Sequence, residues 1–244
     1  MTAAATLDSD PSRRGGDVGV IIVAAGASTR AGRSDAELKQ LRWVAGKPML
    51  LHSLQTFMAR SDVVSVVCVL PARYAGDPPP WVFQCDVARL MIAPGGATRT
   101  ESVANGLDDL PDEARVVLVH DAARPLVDDA TIDRVVDRVR AGSCAIAALP
   151  VTDTLKEVDD ANQIVRTIDR SRLWRAQTPQ GFPRETIVRA HNEARTSRLT
   201  ATDDAALCER LGIPVLVVTG SERALKVTTE EDFARVDALA RTAP

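Results

Sequence analysis

The chain has 244 residues, 45% of them hydrophobic, enough to bury a sizeable core in one α/β domain. Aromatic residues make up only 3%, so Ala, Val, Leu and Ile must build that core, and stacking platforms for single-stranded nucleic acid are scarce. Lys and Arg number 30 against 33 Asp and Glu; the net charge of −3 supplies no global field toward nucleic acid or an anionic membrane, and any anion site must be local.

Residues 1–17 contain Asp8, Asp10, Arg13 and Arg14 and no apolar stretch of signal-peptide length, so they are expected to form a disordered lead-in to a cytoplasmic protein. No later run is long enough to span a bilayer. Residues 18–24 are the first of six short apolar runs expected as strands, followed by 63–70, 90–93, 116–120, 144–150 and 214–219. Runs buried on both faces are what a mostly parallel sheet requires. Between them, 48–60, 98–110, 128–140, 203–211 and 229–240 read as helices, with Pro48 suited to a first turn and Thr229 to an N-cap before Glu230, Glu231 and Asp232. The alternation predicts a doubly wound, mostly parallel α/β sheet in a single domain over 18–241.

One segment breaks the pattern. Residues 154–158 and 164–168 are β-like runs around Asp159-Asp160-Ala161-Asn162, which is turn chemistry, so a β-hairpin arm is expected at about 151–172. A lone two-stranded arm is marginal in water; packing on a second copy of the chain, or back onto its own domain, would stabilise it. Cys68, Cys85, Cys144 and Cys208 form no C-x-x-C pair, and Cys68 and Cys144 lie in strand-like runs, so buried, reduced thiols are expected rather than metal ligands.

Ligands of open α/β sheets bind beyond the carboxyl ends of the strands, and the first strand runs into Ala24-Ala25-Gly26-Ala27-Ser28-Thr29-Arg30. Small residues let the backbone approach a ligand, exposed N–H groups bind phosphate oxygens, and Arg30 adds a forked cation. The loop matches neither the P-loop nor the dinucleotide-binding fingerprint.

The remaining motifs narrow the reading. Val23-Ala24-Ala25-Gly26, Arg30, Lys39-Gln40 and Gly46-Lys47-Pro48 are followed by Gly95-Gly96-Ala97-Thr98-Arg99-Thr100-Glu101-Ser102-Val103 and Val119-His120-Asp121-Ala122-Ala123-Arg124-Pro125. Asp153-Thr154-Leu155-Lys156, Thr167-Ile168-Asp169-Arg170, Gln177-Thr178-Pro179-Gln180-Gly181-Phe182, Thr202-Asp203-Asp204 and Lys226-Val227-Thr228 complete the set. In this order they resemble the 2-C-methyl-D-erythritol 4-phosphate cytidylyltransferase family, which implies a Rossmann-like nucleotidyltransferase fold and CMP transfer from CTP to a sugar-alcohol phosphate.

The resemblance assigns roles. Arg30 and Lys39 would stabilise charge on the attacked α-phosphate, and Lys226 would help place the acceptor. Ala24, Ala25, Gly26, Ala27, Gly96, Arg99, Ser102, Asp121 and Ala122 would line the nucleotide. Asp121, at a strand's carboxyl end, would hold Mg²⁺ partly through the substrate. Arg124, Asp153, Thr154, Thr178 and Thr202 would serve the methylerythritol phosphate side, and Arg170 would cross a homodimer interface through the arm. Arg124 has a competing reading as an ion pair with Asp128, and His120 is left out as a structural histidine. Leu38 stands where the family usually has Pro, and residues 31–37 look longer than the common form. A ribitol 5-phosphate cytidylyltransferase and a catalytically silent nucleotide-binding relative are the alternatives.

Overall fold

The computed structural model describes residues 16–26 and 38–242. The first strand, β1 (Val18–Val23), is buried along nearly its whole length because parallel neighbours flank it on both edges. Its neighbours are β4 (Val63–Leu70) and β6 (Val116–Asp121), and β5 (Leu90–Pro94) extends the sheet beyond β4. Between β1 and β4 come the short antiparallel pair β2 (Trp43–Val44) and β3 (Lys47–Pro48) and helix α1 (Met49–Met58). The short helix α2 (Ala72–Ala75) follows β4, α3 (Arg99–Asp108) links β5 to β6, and α4 (Asp129–Arg140) leads to β7 (Cys144–Pro150).

The arm is β8 (Leu155–Val158) and β9 (Ile164–Ile168), an antiparallel pair forming its own small sheet. The chain returns as β10 (Trp174–Pro183), continues through α5 (Arg184–Ser197), α6 (Asp204–Arg210) and β11 (Val215–Thr219), and closes on α7 (Glu230–Arg241). The main sheet has seven strands in the order β11-β7-β10-β6-β1-β4-β5. Only β10 runs antiparallel to its neighbours, so the sheet is mostly parallel as expected.

Side-chain parity makes the sheet doubly wound. Val18, Val20 and Ile22 point into one layer with Leu54 and Phe57 of α1 and Val135 and Val139 of α4. Ile21, Val67 and Val119 point into the other with Val103 and Leu107 of α3 and Ile187 and Ala190 of α5. Gly106 permits close packing of α3 on β1, since a Cβ there would lie 2.7 Å from Ile21 Cγ2.

The expected helix starts coincide with side-chain caps: Thr98, Asp128, Asp203 and Thr229 each accept a backbone N–H of the first turn. Five elements were not expected: the short β2, β3 and α2, and the longer β10 and α5. Gln177, Pro179 and Gly181 disguise β10 as a loop, yet it lies in the middle of the sheet; its register with β7 shifts between Ala176 and Gln180, where Pro179, lacking an N–H, is tolerated. Helix α5 buries Ile187, Ala190, His191 and Ala194, a helical stripe in which Ile187 is the one strongly apolar member.

Residues 1–15 lie outside the described residues, but Asp17, placed by sequence in the lead-in, is tied down: its carbonyl accepts from Val116 N at 3.0 Å and its carboxylate pairs with Arg140. All four cysteines are free thiols, with Cys68, Cys144 and Cys208 buried. Among the described residues no helix is long and apolar enough to cross a membrane.

Candidate active site

A cavity of about 500 Å³ opens beyond the carboxyl ends of β1 and β6. Ala25 and Gly26 after β1, Lys39 and Gln40 from a single 3₁₀ turn, and Gly96, Arg99 and Ser102 at the start of α3 line it, with Asp121, Lys226 and Thr228 opposite. Eight of the predicted positions therefore meet at one place: Ala25, Gly26, Lys39, Gly96, Arg99, Ser102, Asp121 and Lys226. Ala27 and Arg30 lie outside the described residues.

The loops touch because both are small. A Cβ on Gly95 would sit 2.2 Å from Ala25 Cβ, so the segment before α3 can pass the loop after β1 only as glycine. Ser102 spends its hydroxyl within the loop, accepting from Gly96 N at 3.1 Å and donating to Thr98 O at 2.9 Å. Gln40 Nε2 donates to Gly26 O at 3.0 Å and ties the Lys39 turn to the end of the described β1 segment.

Around the cavity three cations, Lys39, Arg99 and Lys226, face one carboxylate, Asp121, among the described lining residues. Lys226 Nζ donates to Asp121 Oδ2 at 2.7 Å, and Arg99 approaches Asp121 Oδ1 at 3.5 Å. Despite burial, these neighbours hold the Asp121 carboxyl far below the usual carboxylate range. Arg99 is gripped more closely from behind by Asp204, Nη1 to Oδ2 at 2.7 Å, and its affinity for the proton rises further. Burial draws the Lys39 pKa down, opposed by Asp232 and Glu230. An anion arriving here meets partly desolvated cations, which interact more strongly than they would in water.

Lys226 is placed by α7. Thr228 N, Thr228 Oγ1 and Thr229 N all donate to Asp232 Oδ2 at 2.7–2.8 Å, fixing the turn that carries it. Val227, with Val44, Met49, Phe233 and Val236, forms a separate apolar cluster beneath.

The other predicted residues lie elsewhere. Ala24, Ala122, Arg124 and Thr178 are buried and do not line the cavity. Arg124 does not pair with Asp128, which caps α4 instead; its guanidinium donates to Ala224 O at 2.8 Å and Ala176 O at 3.2 Å, leaving Nε without a partner. Thr178 Oγ1 accepts from Asp121 N at 3.1 Å and contacts His120 Nδ1 at 3.0 Å, while His120 Nε2 lies 3.0 Å from Arg124 O. A carbonyl only accepts, so Nε2 carries the proton, and Thr178 donates to Nδ1. Burial pushes the His120 pKa down to about 4, keeping the ring neutral and structural. Asp153, Thr154, Arg170 and Thr202 are exposed and outside the cavity lining; Arg170 donates to Thr152 O at the base of the arm.

Gln180 and Asp204 stand within the sequence motifs but carry no role there. Their signal is placement beside Thr178 and Thr202, and only the folded chain shows that Asp204 holds Arg99. Gln40 and Thr228, likewise motif residues without a predicted role, line the cavity.

The family model described as IspD: 2-C-methyl-D-erythritol 4-phosphate cytidylyltransferase matches residues 18–242. The chain belongs to this family. It is 42% identical over 229 residues to the 2-C-methyl-D-erythritol 4-phosphate cytidylyltransferase of Streptomyces coelicolor, covering 90% of this chain and 83% of that one. It is 39% identical to the bifunctional enzyme IspD/IspF of Rhizobium etli, spanning 93% of this chain and 57% of that longer protein. The crystal structure of 2-C-methyl-D-erythritol 4-phosphate cytidylyltransferase from Thermus thermophilus superposes with a TM-score of 0.78 at 34% identity, over 93% of this chain and all of that one. The cytidylyltransferase fold and the cationic cavity at its strand ends thus coincide in one molecule.

Proposed function

We propose that the protein transfers CMP from CTP to 2-C-methyl-D-erythritol 4-phosphate, releasing pyrophosphate and 4-diphosphocytidyl-2-C-methyl-D-erythritol for the non-mevalonate isoprenoid route. The observation that carries this reading is the arrangement of Lys39, Arg99 and Lys226 against the single carboxylate of Asp121 at the ends of β1 and β6. A triphosphate is the kind of ligand whose charge that arrangement complements.

The acceptor's phosphate oxygen is already ionised at neutral pH, so the reaction needs no general base. That oxygen forms a bond to the α-phosphorus of CTP, and the bond from the α-phosphorus to the bridging oxygen breaks with its electrons leaving on pyrophosphate. The obstacle is repulsion between two anions. Lys39, together with Arg30, acts on the α-phosphate; Lys226 exchanges part of its bond to Asp121 for the reacting phosphates and holds the acceptor in line.

Asp121 suits a hard divalent cation shared with substrate oxygens: it is the sole carboxylate among the described lining residues, and those residues contain no cluster of three acidic, His or Cys groups that would hold a metal unaided. When bound, Mg²⁺ held by Asp121 and the triphosphate supplies positive charge against the phosphate oxygens.

The acceptor side is completed by a second copy of the chain, whose arm brings Arg170, with Asp153 and Thr154 at its base, and Thr202 contributes a further hydroxyl. Arg124 and Thr178 serve this side through what they anchor, the carbonyl of Ala224 near Lys226 and the amide of Asp121. Support for the homodimer is the exposure of the arm: Ile164, Val165 and Val158 are 65%, 61% and 48% accessible within one chain. The free thiols and the weak net charge fit a cytoplasmic enzyme with no nucleic-acid partner.

Pyrophosphate release from CTP, measured with methylerythritol phosphate and with ribitol 5-phosphate, tests the reading. Turnover with the first and little with the second is expected; the reverse preference makes the acceptor ribitol 5-phosphate, and no release with either leaves a silent binding protein.

A further inference from the structure

Arg99 stands at the first position of α3, where the helix dipole disfavours a cation and a long side chain has many rotamers open to it. Its guanidinium is nevertheless held in one place. Asp204, its side chain 1% exposed, accepts from Arg99 Nη1 at 2.7 Å on Oδ2 and contacts His191 Nε2 at 3.0 Å on Oδ1. The backbone that carries this carboxylate is also fixed: Asp204 N and Ala205 N both donate to Gln180 Oε1 at 3.0 and 3.1 Å, and Gln180 Nε2 donates to Asp203 Oδ2 at 2.8 Å. Asp203 in turn caps α6 through Ala206 N. None of His191, Gln180, Asp203 and Asp204 lines the cavity; Arg99 does.

We propose that Asp204 is a positioning residue for nucleotide binding: it fixes Arg99 so that the guanidinium faces the cavity without closing on Asp121. Charges alternate along the row from Asp204 to Arg99, Asp121 and Lys226, with separations of 2.7, 3.5 and 2.7 Å. The long middle step is the informative one. Arg99 gives its short, strong bond to the carboxylate outside the cavity and only a loose contact to the one inside, so Asp121 stays available to Lys226 and to ligand. Without the Asp204 charge, the nearest carboxylate for Arg99 is Asp121, and the guanidinium would collapse onto it. Asp204 and Gln180 belong to sequence motifs that the phosphate chemistry leaves without a task, and this gives both one: Gln180 anchors the backbone at the start of α6, whose Asp204 carboxylate holds the arginine.

The inference rests on reading the cavity as the CTP site, and calorimetric titration of the full chain with CTP and Mg²⁺ separates the two. If the wild type does not bind CTP, the reading of the site fails. Given wild-type binding, Asp204→Asn should weaken CTP by about tenfold, as should Arg99→Ala, and the double variant should bind no more than about twofold worse than Arg99→Ala alone. Unchanged affinity in Asp204→Asn overturns the inference. So does an additive loss in the double variant, which would make Asp204 a support for α6 acting independently of Arg99. Should Asp204→Asn fail to fold, His191→Leu releases the other carboxylate oxygen; a loss of about threefold that disappears in the Arg99→Ala background supports the inference, and a loss that persists there refutes it.

Discussion

At the nucleotide end of the site almost every polar group is engaged within the chain, whereas in the arm almost none is covered. Asp121 is held by Lys226, Arg99 and the Thr178 hydroxyl, and Asp204 by Arg99, His191 and Gln180. In β8 every residue is exposed, and the turn is organised locally, with the amides of Ala161 and Gln163 donating to Asp159 Oδ1 at 2.9 Å and Asn162 at φ 60°. The first region is finished by folding. The second keeps a defined shape but buries no core.

This contrast can be broken most strongly at Lys39. Under the proposed role of Lys39 in offsetting transition-state charge, Lys39→Ala should lower turnover by about a hundredfold or more in steady-state pyrophosphate release, with the fold unchanged. Wild-type turnover would show that the preformed cavity works without it.

The next effect lies in the buried network. His120 is neutral in the fold with a pKa of about 4, against about 6.5 unfolded, so its depressed pKa contributes stability that is complete above pH 6.5 and is lost as pH falls toward 4. Urea unfolding should therefore show the wild type losing roughly 3 kcal/mol more than His120→Gln between pH 7 and pH 4. Equal losses would mean that the ring does not titrate with folding.

In the arm the expectation reverses. Replacing Ile164 and Val165 by serine should leave monomer stability within about 0.5 kcal/mol, since both are exposed, yet weaken self-association by about tenfold in sedimentation velocity. A large drop in melting temperature at a dilution where the wild type is monomeric would place the arm with the core instead. A milder effect joins the two regions: inactive Lys39→Ala mixed with inactive Arg170→Ala should recover about a quarter of wild-type activity, because half of the mixed dimers are hybrids with one intact site. No recovery despite measured subunit exchange would confine each site to one chain.

Much of the nucleotide end was legible in the residues. Lys39, Arg99, Ser102, Asp121 and Lys226 are spread over nearly 190 positions, yet all line one cavity, because each follows a strand or opens a helix and parallel strands present those ends on one side of the sheet. Thr178 and Arg124 were legible as important but not in kind. A hydroxyl and a guanidinium advertise hydrogen bonds, and nothing local says whether the partner is a ligand or, as found, the backbone of a neighbouring segment.

By itself the sequence determined the alternating apolar runs, the capped helix starts, the turn of the arm and the set of charged residues, because these rest on periodicity and nearest-neighbour chemistry. The tertiary structure alone decided that β10 would enter the middle of the sheet despite its Gln, Pro and Gly, since pairing with β6 and β7 on both sides outweighs weak strand propensity. It also decided that Asp204, over a hundred residues from Arg99, would hold that arginine in place: a charge pair is set by a distance of a few ångströms, which only the packed fold specifies.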